Sequence, residues 1–278
     1  MRLGVSSYSF WHFRGEPYPI ERVLEDAARL DLAGVEILER QLGTQPDRAR
    51  LLGLRRRALS LGLDLYGMST HQDFVSPDAD VRAAQIQGTV RSLEIAADLG
   101  IACIRLNSGR WKTITSFDDL MAAGGIEPPL PGHHDDDAFR WCTDSIAELL
   151  PHAERLGVIL ALENHWGLTS RAAGVQRILQ ALPSPFLAGV LDTGNYLRND
   201  AVDMYQEMRA LAPTAVLVHA KAYQGGGEWY DLDIDYPRVA GILREAGFDG
   251  YVSLEFEGKA PAATGVPEAL AVLRAAGF

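Results

Sequence analysis

Short apolar runs rich in Val, Ile and Leu alternate eight times with longer amphipathic stretches along this chain. Most runs are apolar at both alternating positions, which is typical of strands buried on both faces of a parallel sheet. Short apolar runs can also be buried helix segments, so the prediction of strands depends on what lies between them. The predicted strands span residues 3–8, 34–38, 63–68, 101–106, 158–162, 187–191, 215–218 and 251–254.

Helical periodicity fills the segments between the runs. One helical face is formed by residues three and four positions apart, namely Ala83, Ile86, Val90, Leu93 and Ala97. Phe139, Cys142, Ile146 and Leu149 have the same spacing, and further helices are predicted at 20–30, 48–61, 172–182, 201–211, 237–246 and 267–275. Left-handed C-caps, which cost glycine little, are predicted where a glycine follows a helix and precedes a strand, at Gly62, Gly100, Gly157 and Gly247.

The alternation predicts an α/β protein with eight strand–helix units of about 35 residues each in a single domain over residues 1–278. Parallel strands joined by right-handed crossover helices close into a barrel at eight strands. We therefore expect a single eight-stranded parallel (β/α)8 barrel. An open doubly wound sheet is the competing architecture, and the barrel is favoured because the chain ends after the eighth unit and polar residues cluster at the strand ends.

The connection after the fourth predicted strand differs from the others. Residues 107–137 form a long loop rich in Gly, Pro and Trp. Loops of this length inside compact domains are usually functional or disordered. The loop follows the carboxyl end of a strand, where barrel enzymes build their active sites, so we predict that it forms a lid or a wall of a substrate pocket.

Composition excludes several classes of protein. Apolar residues make up 47% and charged residues 23%, a balance typical of soluble globular proteins and not of disordered chains. A net charge of −11 argues against broad nucleic-acid binding. The two cysteines, Cys103 and Cys142, cannot form a disulfide framework or a Cys-rich zinc site. With no signal peptide and no membrane-spanning run visible, we expect a cytoplasmic protein with neither membrane nor nucleic-acid partners.

Polar side chains follow four consecutive predicted strands. Glu163, Asp192, His219 and Glu255 stand at these strand ends and are separated by 29, 27 and 36 residues, one strand–helix unit each. In a barrel, adjacent strand ends face one mouth. Three carboxylates and one imidazole suit Mn²⁺, Co²⁺, Mg²⁺ or Zn²⁺, whereas clustered carboxylates without a cation would repel one another. Taken singly, each residue could be a helix cap or a surface group, but four together indicate a site for a divalent metal ion.

These strand ends resemble those of a known family. The similar segments are residues 161–165, 191–195, 218–221 and 253–257, together with 4–9 and 34–37. The chain resembles, over essentially its whole length, the xylose isomerase-like TIM barrel superfamily, also called the sugar phosphate isomerase/epimerase or AP endonuclease 2 family. The ligand set is specific for the family and not for a substrate.

The resemblance implies a chemistry. Glu163, Asp192, His219 and Glu255 would bind one Mn²⁺-like ion, and Glu163 and Glu255 would also act as catalytic acid and base. The implied enzyme is a sugar or keto-sugar isomerase or epimerase that removes a proton next to a carbonyl through a metal-stabilised enediolate. Such an enzyme would belong to carbohydrate metabolism and is compatible with a dimer or a tetramer.

The chain departs from two branches of the family. The ketose 3-epimerases carry a His where this chain has Asn195 and an Arg near the segment 224–227, which here reads Gln-Gly-Gly-Gly. The endonuclease branch binds three zinc ions with further histidines, where this chain has Asn107 and Asn195, and residues 231–235 contain no Asp-x-His. These departures disfavour a free-ketose 3-epimerase and a trinuclear phosphodiesterase.

Three alternatives stay open at this stage. The same site could expel a leaving group after proton removal, as in an inosose dehydratase or an eliminase of 3-keto-glycosides. The chain could be a metal-dependent AP endonuclease, or a sugar-binding barrel without catalysis. The fold alone does not choose among these functions.

Further polar and aromatic residues are candidates for substrate binding. His71 resembles the family's substrate-contacting His, Lys221 points to the same side as His219, and Glu36 could line the pocket. Aromatic faces suit the C–H faces of a sugar ring. The predicted substrate-binding residues are His71, Arg105, Asn107, His165, Lys221, Trp11, Trp111 and Trp166. Each has a structural alternative: packing for the aromatic residues, and an ion pair for Arg105, Lys221 and Glu257.

Overall fold

The computed structural model of the protein describes residues 1–196 and 203–278. Within these residues eight parallel strands form a closed barrel, in which each strand pairs with the next along the chain and the last pairs with the first. The strands are β1 Arg2–Ser6, β2 Gly34–Leu38, β3 Asp64–Ser69, β4 Cys103–Leu106, β5 Ile159–Glu163, β6 Leu187–Asp192, β7 Ala215–Ala222 and β8 Tyr251–Phe256. The predicted (β/α)8 barrel is confirmed, and the open sheet is excluded.

Helices surround the barrel. They are α1 Ile20–Arg29, α2 Arg48–Ser60, α3 Ala79–Leu99, α4 Phe117–Ala122, α5 Asp135–Leu156, α6 Ala172–Ala181, α7 Met204–Leu211, α8 Tyr236–Glu245 and α9 Ala262–Ala275. Short 3-10 turns lie at Ser7–Phe10, Glu39–Leu42 and Ala212–Thr214. Among the helices of the described residues, none is both long enough and apolar enough to cross a bilayer.

The predicted helices agree with these bounds, with two differences. The helix predicted from residue 267 begins five residues earlier, at Ala262, because Pro261 and not Pro267 stands at its N-cap. The start of the helix predicted over 201–211 lies partly outside the described residues, and the described helix α7 begins at Met204. The glycine stops are confirmed at Gly100 and Gly157, which end α3 and α5 in the left-handed conformation with φ of 75° and 68°.

Two strands run more than one residue further than predicted, and this difference positions the site. The sequence predicts that the seventh and eighth strands end at residues 218 and 254, but β7 continues to Ala222 and β8 to Phe256. Polar residues can continue a buried strand when their side chains have buried partners. His219, Lys221 and Glu255 therefore lie within strands, with Asp192 paired to His219 and Lys221 paired to Glu255 in register.

Between the end of β4 and the start of α5, the chain forms the short helix α4. Arg110 and Phe117 of this connection line the large cavity at the carboxyl ends of the strands. The connection therefore contributes side chains to the same end of the barrel as the four strand-end residues.

Candidate active site

The four strand-end residues meet inside the barrel mouth, around one nitrogen atom. Nδ1 of His219 lies 2.7 Å from Oε1 of Glu163, 3.7 Å from Oε1 of Glu255 and 3.8 Å from Oδ2 of Asp192. All four residues are buried. Residues far apart in sequence are brought together because β5, β6, β7 and β8 are consecutive strands of the closed barrel.

A fifth buried carboxylate lies on the opposite side of the imidazole ring. Oε1 of Glu36, in β2, is 3.0 Å from Nε2 of His219. The hydroxyl groups of Ser69 and Ser253 donate hydrogen bonds to Glu36 at 2.5 and 2.7 Å. The two ring nitrogens of His219 thus face different carboxylates, Nδ1 towards the strand-end cluster and Nε2 towards Glu36.

Asp192 is fixed through one of its oxygens, while the other is left without a hydrogen-bond donor. Oδ1 accepts hydrogen bonds from the backbone N–H groups of Gly194 and Asn195 at 2.7 and 2.9 Å. The side-chain amide of Asn164 forms two further hydrogen bonds with the backbone of Asp192: it donates to the carbonyl oxygen and accepts from the N–H group. Within the described part of the chain, the buried Oδ2 has no hydrogen-bond partner, and the nearest cation, Nζ of Lys221, is 3.5 Å away.

Two buried cations contact the carboxylate cluster. Nη1 of Arg105 donates to Oε2 of Glu163 at 2.8 Å, and Nδ2 of Asn107 donates to the same oxygen at 3.2 Å. Nζ of Lys221 lies 2.7 Å from Oε2 of Glu255 and 2.6 Å from Oε1 of Glu257. Both cations are therefore engaged by acidic partners.

The charges shift the ionisation of the cluster in opposite directions. Burial raises the pKa of Asp192 to about 7, and the neighbouring Lys221 does not cancel that effect. Burial also opposes ionisation of Glu255, but His219 and Lys221 lower its pKa to about 2. Burial alone would lower the pKa of His219, but Glu255 and Glu36 raise it well above its ordinary value.

The donor set fits a divalent cation. Ligand atoms of Glu163, Asp192 and His219 lie within 4.8 Å of one another, as do those of Glu36, His219 and Glu255. These carboxylates outnumber Arg105 and Lys221, and a buried acceptor such as Oδ2 of Asp192 is costly without a partner. A cation close to Nδ1 of His219 would satisfy both the excess negative charge and this acceptor.

A cavity of about 570 Å³ opens above the cluster. Of the predicted substrate-binding residues, five line it: His71, Arg105, His165, Lys221 and Trp166. Asn107 lies beneath it, in contact with Glu163. A volume of this size is within the range of small-molecule sites and exceeds what one sugar ring fills.

Two predicted substrate-binding tryptophans are not brought to the cavity. Trp11 packs edge-on against Phe13, with ring centroids 5.0 Å apart, and donates to the carbonyl of Gly15. Trp111 is buried, packs against Trp141 and donates to Asp135. The structure therefore gives both residues packing contacts.

Several cavity residues were not among the predicted site residues. Tyr8 lies two residues after the end of β1, so the strand-end pattern could have indicated it. Phe117 and Trp229 come from connections with no such pattern and extend the wall of the mouth. Phe117 lies between Trp166 and Trp229, with ring centroids 5.2 and 4.7 Å away, and Nε1 of Trp229 donates to Asp118 at 2.8 Å.

Three of the aromatic side chains that line the cavity are exposed to solvent. The exposed fractions are 44% for Phe13, 38% for Phe117 and 46% for Trp229. These three are the exposed large aromatic residues of the described chain, and all of them line the cavity. Exposed apolar surface that gathers at a cavity mouth marks a binding site.

The arginines around the mouth already have partners. Arg14 forms an ion pair with Glu228, and Arg110 pairs with Glu127 at 2.5 Å. Arg40 lies over the ring of Phe13, 5.4 Å from its centroid. The mouth therefore combines aromatic surface with arginines whose charges are compensated or stacked.

Comparisons with known proteins agree with the fold. The model of the xylose isomerase-like TIM barrel family matches residues 24–276. No curated protein sequence is significantly similar to the chain.

Solved structures share the fold at low sequence identity. The E. coli 3-keto-D-glucoside 4-epimerase YcjR, in its apo form, has a TM-score of 0.77 and 18% identity, with 99% of each chain covered. D-psicose 3-epimerase from Clostridium cellulolyticum H10 with D-tagatose has a TM-score of 0.76 and 16% identity, with 99% of each chain covered. The IolI protein with a bound zinc atom has a TM-score of 0.73 and 15% identity, covering 99% of this chain and 96% of that one.

Proposed function

Since the chain belongs to the xylose isomerase-like TIM barrel family, we propose that it is a divalent-metal-dependent sugar or keto-sugar isomerase or epimerase. It works by removing and returning a proton at a carbon next to a carbonyl group. The observation that carries this proposal is the convergence of Glu163, Asp192 and Glu255 on Nδ1 of His219 beneath an open cavity.

Glu163, Asp192, His219 and Glu255 are the proposed metal ligands. Mn²⁺ fits this set of three carboxylates and one imidazole, and Co²⁺, Mg²⁺ and Zn²⁺ are the alternatives. The ion would polarise the sugar carbonyl and stabilise the negative charge that its oxygen gains on proton loss. The IolI protein, which has a similar fold, was solved with a bound zinc atom, and this supports the proposal of a metal ion in this chain.

Glu163 and Glu255 are the proposed acid and base. Their carboxylates approach His219 from β5 and β8, so a sugar above the cluster has one carboxylate towards each side. One carboxylate takes the proton and the other returns it, which inverts a stereocentre. Return of the proton to the neighbouring carbon, the former carbonyl carbon of the enediolate, gives isomerisation instead. Lys221, held between Glu255 and Glu257, can donate a hydrogen bond to a sugar oxygen as that oxygen gains charge.

The cavity walls favour an uncharged sugar. Arg105, Lys221, Arg14 and Arg110 are paired with carboxylates, which leaves little free positive charge to bind a phosphate group. His71, Arg105 and His165 supply polar contacts for hydroxyl groups, and Trp166 supplies an aromatic face. A small-molecule sugar or keto-sugar is thus the proposed partner, and the net charge of −11 disfavours a nucleic acid. A cytoplasmic location is proposed because both cysteines are buried free thiols.

The aromatic mouth favours a second candidate with the same site. Phe117, Trp166 and Trp229 offer more apolar surface than a single sugar ring uses, which suits a keto-sugar that carries an apolar substituent. After proton removal, such a glycoside could lose its substituent, so a lyase of 3-keto-glycosides is the runner-up. The E. coli protein with the same fold is a 3-keto-glucoside 4-epimerase.

Solvent exchange tests the proposed chemistry. We expect the Mn²⁺-loaded protein, given free ketoses and 3-keto-glucosides in D₂O, to place deuterium next to the carbonyl of at least one of them. Glu255→Gln should lose about 10²- to 10⁴-fold in rate because it removes one acid/base group, while its circular dichroism spectrum is unchanged. Proton NMR and mass spectrometry give the readout, and Glu268→Gln on the surface of α9 is the matched control.

The products separate the candidates. A stereoisomer or positional isomer supports the epimerase or isomerase, whereas loss of water or of the substituent supports the lyase. A Glu255→Gln protein with normal activity would contradict the mechanism. Sugar binding without any deuterium exchange would identify a non-catalytic sugar-binding barrel.

A further inference from the structure

Glu36 is a buried carboxylate that the proposed reaction does not use. It lies in β2, is fully buried, and does not line the cavity. Its side chain meets His219 of β7 across the interior of the barrel, since β2 and β7 are not neighbouring strands. A buried carboxylate must be compensated by donors, so its surroundings indicate its role.

Three side chains contact the carboxylate of Glu36. Ser69 donates to Oε1 from β3, and Ser253 donates to Oε2 from β8. Ser253 in turn accepts a 2.8 Å hydrogen bond from the hydroxyl of Tyr66. The third contact is Nε2 of His219, 3.0 Å from Oε1.

The backbone leaves room for this arrangement. A methyl group at Gly4 would come within 2.4 Å of the Tyr66 ring. The absence of a side chain at Gly4 therefore lets the ring lie across the floor of the barrel, where its hydroxyl reaches Ser253. The chain Tyr66–Ser253–Glu36–His219 runs from that floor to the proposed metal site.

A neutral histidine carries its proton on one ring nitrogen, and the partner of that nitrogen decides which one it is. Both oxygens of Glu36 accept hydrogen bonds from hydroxyl groups, those of Ser69 and Ser253, so Glu36 is placed as the acceptor towards Nε2 of His219, which then carries a proton. A bound cation would take the place of the proton on Nδ1, and this nitrogen faces Glu163, Asp192 and Glu255 at 2.7 to 3.8 Å.

We propose that Glu36 is a positioning residue that holds His219 with Nδ1 directed at the carboxylate cluster and thereby raises the affinity of the site for a divalent cation. This inference rests on the metal site of the proposed function. It assigns a role to the first half of the barrel, whose strands supply no proposed ligand.

Metal affinity of the purified protein tests the role of Glu36 without an activity assay. Zn²⁺ affinity is measured by competition with a chromophoric chelator for the wild type and for Glu36→Gln. We expect Glu36→Gln to bind Zn²⁺ about 10- to 100-fold more weakly, the usual effect of losing the carboxylate behind a histidine ligand. Glu39→Gln is the matched control, because Glu39 follows the same strand and accepts from Ser92 at 2.6 Å, so its affinity should equal that of the wild type.

Two further measurements guard against a merely structural effect. Ser69→Ala removes one donor to Glu36 and should weaken Zn²⁺ binding in the same direction by a smaller factor, even if Glu36→Gln fails to fold. Long-range ¹H–¹⁵N spectra of the Zn²⁺-loaded wild type should show the His219 proton on Nε2.

The outcomes separate the two proposals. A folded Glu36→Gln or Ser69→Ala protein with wild-type affinity overturns the role of Glu36 and leaves the metal site standing. A proton on Nδ1 of the Zn²⁺-loaded protein overturns the role of Glu36 and also excludes Nδ1 as a metal ligand. A wild type that binds no Zn²⁺ or Mn²⁺ overturns both proposals.

Discussion

His71 stands at the mouth of the cavity, where its ring reaches solvent and Nε2 lies 3.4 Å from Nη2 of Arg105. The surrounding protein and Arg105 lower the pKa of His71 well below its ordinary value, so the ring is neutral at neutral pH. A neutral imidazole can both donate to and accept from the hydroxyl groups of a sugar.

The lowered pKa of His71 predicts a dependence of stability on pH. The unfolded chain binds a proton at His71 below about pH 6.5, and the folded protein does not until the pH is much lower. The folded state therefore loses stability as the pH falls below about 6.5. We expect the melting temperature of the wild type to fall more between pH 8 and pH 5 than that of His71→Asn. Equal decreases in the two proteins would show that His71 is not held neutral.

At the scale of residues, the sequence predicts where a functional side chain lies more reliably than which residues it contacts. The convergence of Glu163, Asp192, His219 and Glu255 could be predicted because each stands at or near the end of a strand and one strand–helix unit separates each from the next. The partnership of Glu36 with His219 could not, since it depends on how the strands of the closed barrel are staggered, including a register shift at Val35 and Glu36. The position of Trp111 depends on the path of a long connection that has no periodicity.

At the scale of elements, glycine stabilises a helix end in the left-handed conformation but destabilises a helix interior. Gly157 ends α5 with a φ of 68°, a conformation that L side chains rarely adopt. Gly241 lies inside α8, and a methyl group there would meet nothing within 4 Å. The two glycines therefore form a matched pair for one substitution.

Alanine should have opposite effects at these positions. We expect Gly157→Ala to lower the free energy of unfolding by about 1–2 kcal/mol, because the left-handed conformation penalises a Cβ atom. Gly241→Ala should raise it by about 0.5–1 kcal/mol, because alanine has less freedom to lose in a helix. Urea denaturation measures both, and effects of the same sign would contradict this explanation.

Strand ends were the least predictable feature of the elements. The polar residues at positions 219, 221 and 255 predict that β7 and β8 end before them, yet both strands continue through these positions. The continuation is possible because Lys221 and Glu255 satisfy each other across the strand pair. This contact joins two segments that are distant in sequence, so the pattern of residues within either segment does not predict it.

At the scale of the whole molecule, closure of the barrel follows from the number of units, and the sequence predicts it correctly. Closure also concentrates charge, because it brings the carboxylates of three strands, β5, β6 and β8, together with Glu36 of β2 in one buried volume. The proposed cation would offset that charge and should therefore stabilise the whole fold.

Removal of the metal should accordingly lower the melting temperature. A ligand at 100 times its dissociation constant adds about 2.7 kcal/mol to the free energy of unfolding. For a chain of this size, that corresponds to about 5 °C or more. We expect EDTA to lower the melting temperature of the protein by this amount and Mn²⁺ or Zn²⁺ to restore it, with elemental analysis giving one equivalent of metal.

Asp192→Ala is the control for the effect of metal removal. It deletes the proposed ligand whose Oδ2 has no hydrogen-bond donor, so neither EDTA nor added metal should change its melting temperature. A wild type that is insensitive to EDTA and contains no metal would remove the proposed mechanism while leaving the barrel unchanged.

The placement of the proposed ligands on β5 to β8 has a consequence for biosynthesis. A ribosome produces Glu36, Ser69 and Arg105 well before the first ligand, Glu163, and Glu255 comes only with the last strand. A nascent chain therefore contains the residues that contact and position the proposed ligands long before it contains all of the ligands themselves. The complete set of proposed ligands exists only once β8 has emerged, so the proposed cation would stabilise a finished barrel rather than guide its early folding.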